Sequence, residues 1–326
     1  MRGLRTFAVT IAAVALAATG CAGSGSEAAG TSMTGLRVMV PNSPGGGYDV
    51  TARTAAKAAE DAKLARRIEV FNLPGAGGTV GLARLVNEKG NGKLAMSMGL
   101  GVVGSVYTNK SKATLQQTTP VARLLQESDI IVVSKDSPYK AIGDLVKAWK
   151  ADPGKLPVGG GSSPGGPDHL AAMLTAKAAG LVPKDVNYVP YDGGGELLAA
   201  ILGNKVAFGV SGVSEYADQI KAGQLRVLAV TSAQRVPGVD APTLKESGID
   251  VDFINWRGIV APPGLDAKET EALRTLVRKL RESKQWKDAL ARNGWTDAYL
   301  EGDRFGAFVK QESTRVGSVL KDLGLA

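Results

Sequence analysis

The chain has a single cysteine and a single histidine in 326 residues. The lone thiol, Cys21, has no partner for an internal disulfide, and with only His169 beside it no zinc site is expected. No histidine follows His169, which removes the downstream base that a serine hydrolase of the α/β type needs. Aromatics are scarce at 5%. Lys and Arg are spread among acids, as in Arg66-Arg67-Ile68-Glu69 and from Arg278 to Lys287. A nucleic-acid binder would cluster them with aromatics, so no nucleic-acid partner is expected. The net charge of +8 falls to +6 without Arg2 and Arg5, an excess that suits solubility and weakly favours anionic ligands. Glycine is abundant at 42 residues, yet 44% of the chain is hydrophobic, which points to many close turns in a packed fold and not to disorder.

The first residues read as an address. Arg2 and Arg5 precede an apolar run from Phe7 to Ala18 that suits a secretory signal and is too short to span a bilayer as a mature helix. The run ends in Ala18-Thr19-Gly20-Cys21. Small residues before a cysteine resemble a bacterial lipobox, although leucine would match better than Ala18. Residues 1–20 are therefore expected to be a signal peptide. Cys21 is the expected lipid attachment site, holding the protein extracytoplasmically at the cell membrane. Residues 21–35, rich in Gly, Ala and Ser, read as a flexible tether.

The remaining residues are enough for two lobes of ordinary domain size. Short β-branched runs alternate with Gly-rich turns and amphipathic helices. Leu36–Val40, Ile68–Phe71 and Leu94–Met98 read as strands, with helices expected at Asp49–Ala62 and Thr79–Asn87. Gly99 to Gly104 reads as a glycine-rich exit. Pro120–Leu125 and Ile130–Val133 are strand-like, and the alternation then restarts through Thr231. Such alternation argues for a largely parallel sheet with helices on both faces. Two amphipathic helices are expected near the C-terminus, one carrying Leu273, Leu276, Val277 and Leu280, the other Phe305, Phe308, Val309 and Val316.

Several segments match one family in its order. Val40-Pro41-Asn42-Ser43-Pro44-Gly45-Gly46-Gly47-Tyr48-Asp49 and Asn72-Leu73-Pro74-Gly75-Ala76-Gly77-Gly78 resemble the first two ligand-loop signatures of the tripartite tricarboxylate transporter substrate-binding proteins, the Bug family. Further matches are Pro120–Leu124, Gly161-Ser162 to Ala171, Val189–Gly194, Lys221–Arg226, Leu228–Thr231 and Trp256–Gly264. The resemblance runs from Leu36 to the C-terminus. It implies an α/β chain with a type II periplasmic-binding-protein fold, two α/β lobes joined by two crossover strands. By that analogy lobe one is 36–134 plus 255–326 and lobe two is 135–254. It also implies a small organic carboxylate as ligand and the membrane subunits of a transporter as partners. No cofactor and a monomeric receptor are expected.

The loops themselves suit an anion. Helix N-termini expose unpaired N–H groups and partial positive charge, and glycine lets backbone amides approach a ligand closely. Ser43, Pro44, Gly45, Gly46, Gly47 and Tyr48 would supply one such turn, ahead of Asp49. Ser162, Ser163, Gly165 and Gly166 would supply a second, ahead of His169, and Asp49, His169 and Ser211 are themselves expected among the ligand-binding residues. Gly77, Thr79, Tyr191 and Gly193 are expected along the same cleft. Many family members carry Asp at or near Ser211. Its replacement removes a negative charge, which disfavours an amino-acid ligand and leaves room for another acidic group.

Other signals are weaker. Gly99-Leu100-Gly101-Val102-Val103-Gly104 fits G-x-G-x-x-G, but the segment Asn109–Thr119 is too polar for the long helix that the dinucleotide fingerprint needs. Gly161–Gly165 fits G-x-S-x-G, but Pro164 and Pro167 delay the helix that a nucleophile elbow enters at once. Trp256 is read as core or hinge packing, and Arg257 as a side chain within reach of an anion. The rivals to a transport receptor are one coupled to a membrane sensor and an enzyme on the same fold.

Overall fold

The computed structural model describes residues 33–324. The expected signal peptide, Cys21 and most of the tether lie outside these residues. Ordered structure begins before Leu36: strand β1 (Met33–Thr34) pairs in parallel with β3 (Ala65–Arg66).

The first half alternates as its sequence pattern requires. β2 (Arg37–Val40), β4 (Glu69–Asn72) and β5 (Leu94–Gly99) form a parallel ladder in the order β4-β2-β5. Helices α1 (Gly47–Asp61), α2 (Thr79–Asn87) and α3 (Leu100–Thr108) follow them. The glycine-rich exit expected at Gly99–Gly104 is thus the start of α3. Its residues Leu100 to Ser105 are all buried, so burial on every side overrides the low helix propensity of glycine.

The centre of the molecule is β6 (Thr119–Ser134), one strand of 16 residues where two were expected. Its first part pairs antiparallel with β11 (Ile254–Ala261) and β12 (Thr296–Glu301). From Asp129 onward its partners are β9 (Phe208–Gly212) and β10 (Leu225–Val230). The change of partners falls at Ser128–Asp129, ahead of residue 134. β7 (Val158–Gly160) and β8 (Tyr188–Pro190) extend the second half in parallel from β9. The ladder therefore runs β4-β2-β5-β11-β6-β9-β7-β8.

Helices α4 (Ile142–Ala151), α5 (Pro167–Ala178), α6 (Gly194–Leu202) and α7 (Ala217–Lys221) pack on the second half. The C-terminal part returns to the first as α8 (Ala267–Glu282), α9 (Lys284–Asn293) and α10 (Gly302–Asp322). α8 starts at an Asp266/Glu269 capping box and buries Leu273, Leu276, Val277 and Leu280, its expected apolar stripe. α9 and β12 were not anticipated; α9 is capped by Ser283 and stopped by Gly294 in the left-handed region (φ 66°). Trp256 lies in the core as expected: its ring meets Phe305 and Phe308 edge-on, and its indole N–H donates to Glu312 Oε2 at 2.9 Å.

Phe305 is fully buried against Trp256 on β11. Phe305→Ala should cost about 3–5 kcal/mol, read as a lower urea midpoint at unchanged slope. A loss below about 1 kcal/mol would mean that α10 is not part of the cooperative core.

Candidate functional site

Two glycine-rich turns, one in each half, share one build. In Ser43-Pro44-Gly45-Gly46 and in Ser163-Pro164-Gly165-Gly166 the second glycine's N–H bonds back to the serine carbonyl, at 3.3 and 2.8 Å. The first glycine of each has positive φ, 82° at Gly45 and 86° at Gly165, a conformation that penalises any side chain. The second glycine is the N-cap of α1 or α5. Each turn is stapled four residues on. Gly45 N–H donates to Asp49 Oδ2 at 3.0 Å, and Gly165 N–H donates to His169 Nδ1 at 3.0 Å. An imidazole in one half does what a carboxylate does in the other.

The staple explains both residues. Asp49 also accepts from Arg53 and Asn72, and its carboxyl is held low despite the opposing effect of burial. His169 stacks edge-on against Tyr188 at 4.7 Å, and burial lowers its pKa to about 4. A neutral ring with Nδ1 accepting is the state the turn needs. Neither residue lines the cleft. Gly46 is the N-cap of α1, so the helix begins two residues before the expected Asp49, which sits in its first turn.

The halves meet directly. Ser43 Oγ donates to Asp192 Oδ2 at 3.0 Å, Ser43 N–H to Asp192 O at 3.2 Å, and Thr108 Oγ1 to Pro164 O at 3.0 Å. A Cβ on Gly46 would come within 3.3 Å of Gly193 Cα, and one on Gly104 would overlap the Gly165 carbonyl oxygen. Between these contacts lies a small cavity with room for about 50 Å³ of solute. Gly47 of α1, Gly101 of α3 and Pro167 and Asp168 of α5 all line it. Three helix N-termini thus converge there, each with first-turn amides and a positive dipole end.

Of the residues expected to contact ligand, Gly47, Tyr48, Gly77, Ser162 and Ser163 line this cavity. Ser43, Pro44, Gly45 and Gly46 build the first turn, and Gly165 and Gly166 the second. Gly193 faces Gly46 across the cleft. Thr79 Oγ1 donates to Ala76 O at 2.9 Å. Tyr191 is half-buried and stands outside the lining.

The sequence reading did not select Asn42, Gly101, Ser105, Asp168, Asp192, Glu215 or Asn255 as ligand contacts, yet all line the cavity. Only Gly101 carried a signal, as part of G-x-G-x-x-G after a strand. Arg257, read from sequence as within reach of an anion, is on the lining and buried. It pairs with Glu127, lies 3.6 Å from Glu215 and donates to Thr51 Oγ1 at 3.5 Å. Ser211 is fully buried and off the lining. Four residues later, Glu215 brings a carboxyl to the lining.

The acids around Arg257 outnumber it. Burial, reinforced by Glu127, raises Asp129 well above the carboxylate range, and burial with Asp129 and Glu215 nearby does the same to Asp168. Burial lifts Glu215 to about 7, Glu127 adding to the shift and Arg257 opposing it.

Residues 51–325 match the family described as the tripartite tricarboxylate transporter family receptor. The protein BugT of Bordetella pertussis is 27% identical over 296 residues, 89% of each chain. A solved TctC solute binding protein from Polaromonas is 28% identical with a TM-score of 0.61, covering 89% of this chain and 98% of that one. Two structures from Rhodopseudomonas palustris share the fold at 22% identity: MatC with bound malate, TM-score 0.78 over 88% of this chain and 99% of its own, and a protein with adipate, TM-score 0.80 over 90% and 98%. The architecture is that of a type II periplasmic binding protein, two α/β lobes joined by crossing strands.

A carboxyl with a raised folded pKa binds more protons folded than unfolded, so its contribution to stability is lost as pH rises, here from about 4.5 to about 7 for Glu215. Asp129 and Asp168, also raised, push stability in the same direction, and Arg257 and Glu127 also act on Glu215. In urea melts Glu215→Gln should therefore lose less stability than wild type between pH 5 and pH 8. An equal or steeper loss would overturn the assignment.

Proposed function

Because this chain belongs to the tripartite tricarboxylate transporter receptor family, we propose that it is an extracytoplasmic solute-binding lipoprotein. In this reading it captures a small di- or tricarboxylate by hinge closure and delivers it to the membrane subunits of such a transporter. The observation that carries the reading is the convergence of three helix N-termini on one cavity between the halves. That geometry offers oriented amides to a carboxylate without requiring a bond to an arginine. The malate and adipate in the related folds support the same ligand class.

The direct bonds between Ser43 and Asp192 and between Thr108 and Pro164 mark the closed end of the hinge motion. Ligand binding shifts the population toward it, and the membrane subunits read the closed surface. Lobe one is assigned to 36–134 plus 255–326 and lobe two to 135–254, with the crossing strands β6 and β11 as the hinge. Among the described residues no helix is long and apolar enough to cross a membrane, which accords with attachment through a lipid on Cys21. The receptor works as a monomer and makes or breaks no bond.

A thermal-shift screen of small carboxylates tests this. A ligand at about 100-fold above its Kd adds about 2.7 kcal/mol, a rise of several °C for a chain of this size. A screen in which no acid shifts the melt would overturn the reading. For the best acid found, Gly104→Ala should weaken binding at least tenfold, because its methyl meets the Gly165 carbonyl only when the lobes shut. Unchanged affinity in that variant would argue against closure.

A further inference from the structure

The cavity is built with two unlike ends. At one end are Gly77, Ser105 and Ser163: a Cβ on Gly77 would run into Ser105 Oγ and lie 3.1 Å from Ser163 Cβ. Ser105 is 1% exposed and its Oγ has no hydrogen-bond partner in the protein. Gly101 of the α3 N-terminus lines the same cavity. This end offers hydroxyl donors beside the positive end of α3.

The other end is made of acceptors. Asn255 is 3% exposed, lines the cavity, and its Oδ1 has no donor. Glu215 Oε2 also lacks one, and it presses against the start of α6, where a Cβ on Gly194 would collide with it. Asp168 faces this space from α5, with its Oδ2 3.2 Å from where a Cβ on Gly161 would stand. Arg257 is the cation here, and Glu127 already occupies it. Behind them Asp129 is fully buried beside Asn255. Four carboxyls share one guanidinium. Buried acceptors without donors are costly. A second carboxylate at this end would meet acids that burial already holds protonated. An ammonium would supply N–H donors and a charge that lets these acids ionise.

We propose that the ligand is an amino-bearing carboxylate, its carboxylate at Gly101, Ser105 and Ser163 and its ammonium at Glu215, Asp168 and Asn255. This rests on the carboxylate-receptor reading and narrows it from plain di- and tricarboxylates to zwitterions. It also reverses the expectation attached to Ser211, since the acid that can meet an ammonium is Glu215.

The test is isothermal titration of the purified protein, stripped of carried-over ligand, with matched acids differing only in the amine: aspartate and succinate, glutamate and glutarate, β-alanine and propionate. In at least one pair the amino member should bind tenfold or more tightly. Glu215→Gln, with Asp168→Asn as a second variant, should shrink that ratio at least fivefold. Near pH 7 the amino ligand should release protons, seen as a buffer-dependent enthalpy, because an ammonium favours the ionised form of Glu215. Deaminated acids binding as well as or better than their partners would overturn this proposal alone and leave the carboxylate reading standing. An unchanged ratio in both variants would do the same. No binding by any acid of either kind would overturn both.

Discussion

The buried pair of Arg257 and Glu127 sits where the two halves of the molecule are tied. Glu127 is on β6, just before that strand changes partners, and Arg257 is on β11, the strand that returns. Two ions so deep repay their desolvation only with close geometry and further hydrogen bonds. Here that geometry includes Ser214 Oγ and the Trp295 indole donating to Glu127 at 2.7 and 3.1 Å, and Thr51 accepting from Arg257. These partners come from both halves of the ladder. The pair thus fixes the register of the crossing strands and sets the electrostatics of the cavity floor. Gly47 has to be glycine beside it, because a Cβ there would overlap the guanidinium.

On either side of that floor the same turn is used twice. The repeated Ser-Pro-Gly-Gly places a helix N-terminus at the cleft from each half, and the staple four residues on keeps it rigid. The staple's acceptor is all that matters locally, so Asp49 and His169 are interchangeable in role although not in charge. This explains why the single histidine is buried and neutral. It is also why the G-x-S-x-G match carries no nucleophile: the imidazole is committed to Gly165 N–H, and neither Ser162 nor Ser163 receives it.

Much of the fold was legible because it rests on local rules. The β-branched runs gave the strands, positive-φ glycines gave the turns, and the i, i+3, i+4, i+7 stripe of α8 gave its buried face. α3 was not legible, since Leu100–Thr108 carries two glycines and becomes helical only when buried all round. β12 was missed because its residues Thr296–Glu301 are mostly exposed or half-buried and show no apolar alternation. At the site, the turns could be read from their glycines, as Gly47, Gly77 and Ser162 illustrate. Asp168, Glu215 and Asn255 could not, because they come from three segments far apart in the chain. An acid on a helix start looks like a cap until the opposing wall is known.

The unmet acceptors also bear on how closure becomes conditional. Closing the empty cleft gains a few cross-lobe hydrogen bonds, among them Ser43 to Asp192 and Thr108 to Pro164, each worth about 1 kcal/mol net. It also buries Ser105 Oγ, Asn255 Oδ1 and Glu215 Oε2 without partners, each at about 1–3 kcal/mol. In the proposed mechanism the cost equals or exceeds the gain, so the open state is favoured without ligand. A solute that satisfies those three atoms removes the cost of closing and leaves the gain, which tips the equilibrium by several kcal/mol. In the proposed mechanism, the same incomplete hydrogen bonding that makes the cavity look unfinished lets a solute control the hinge.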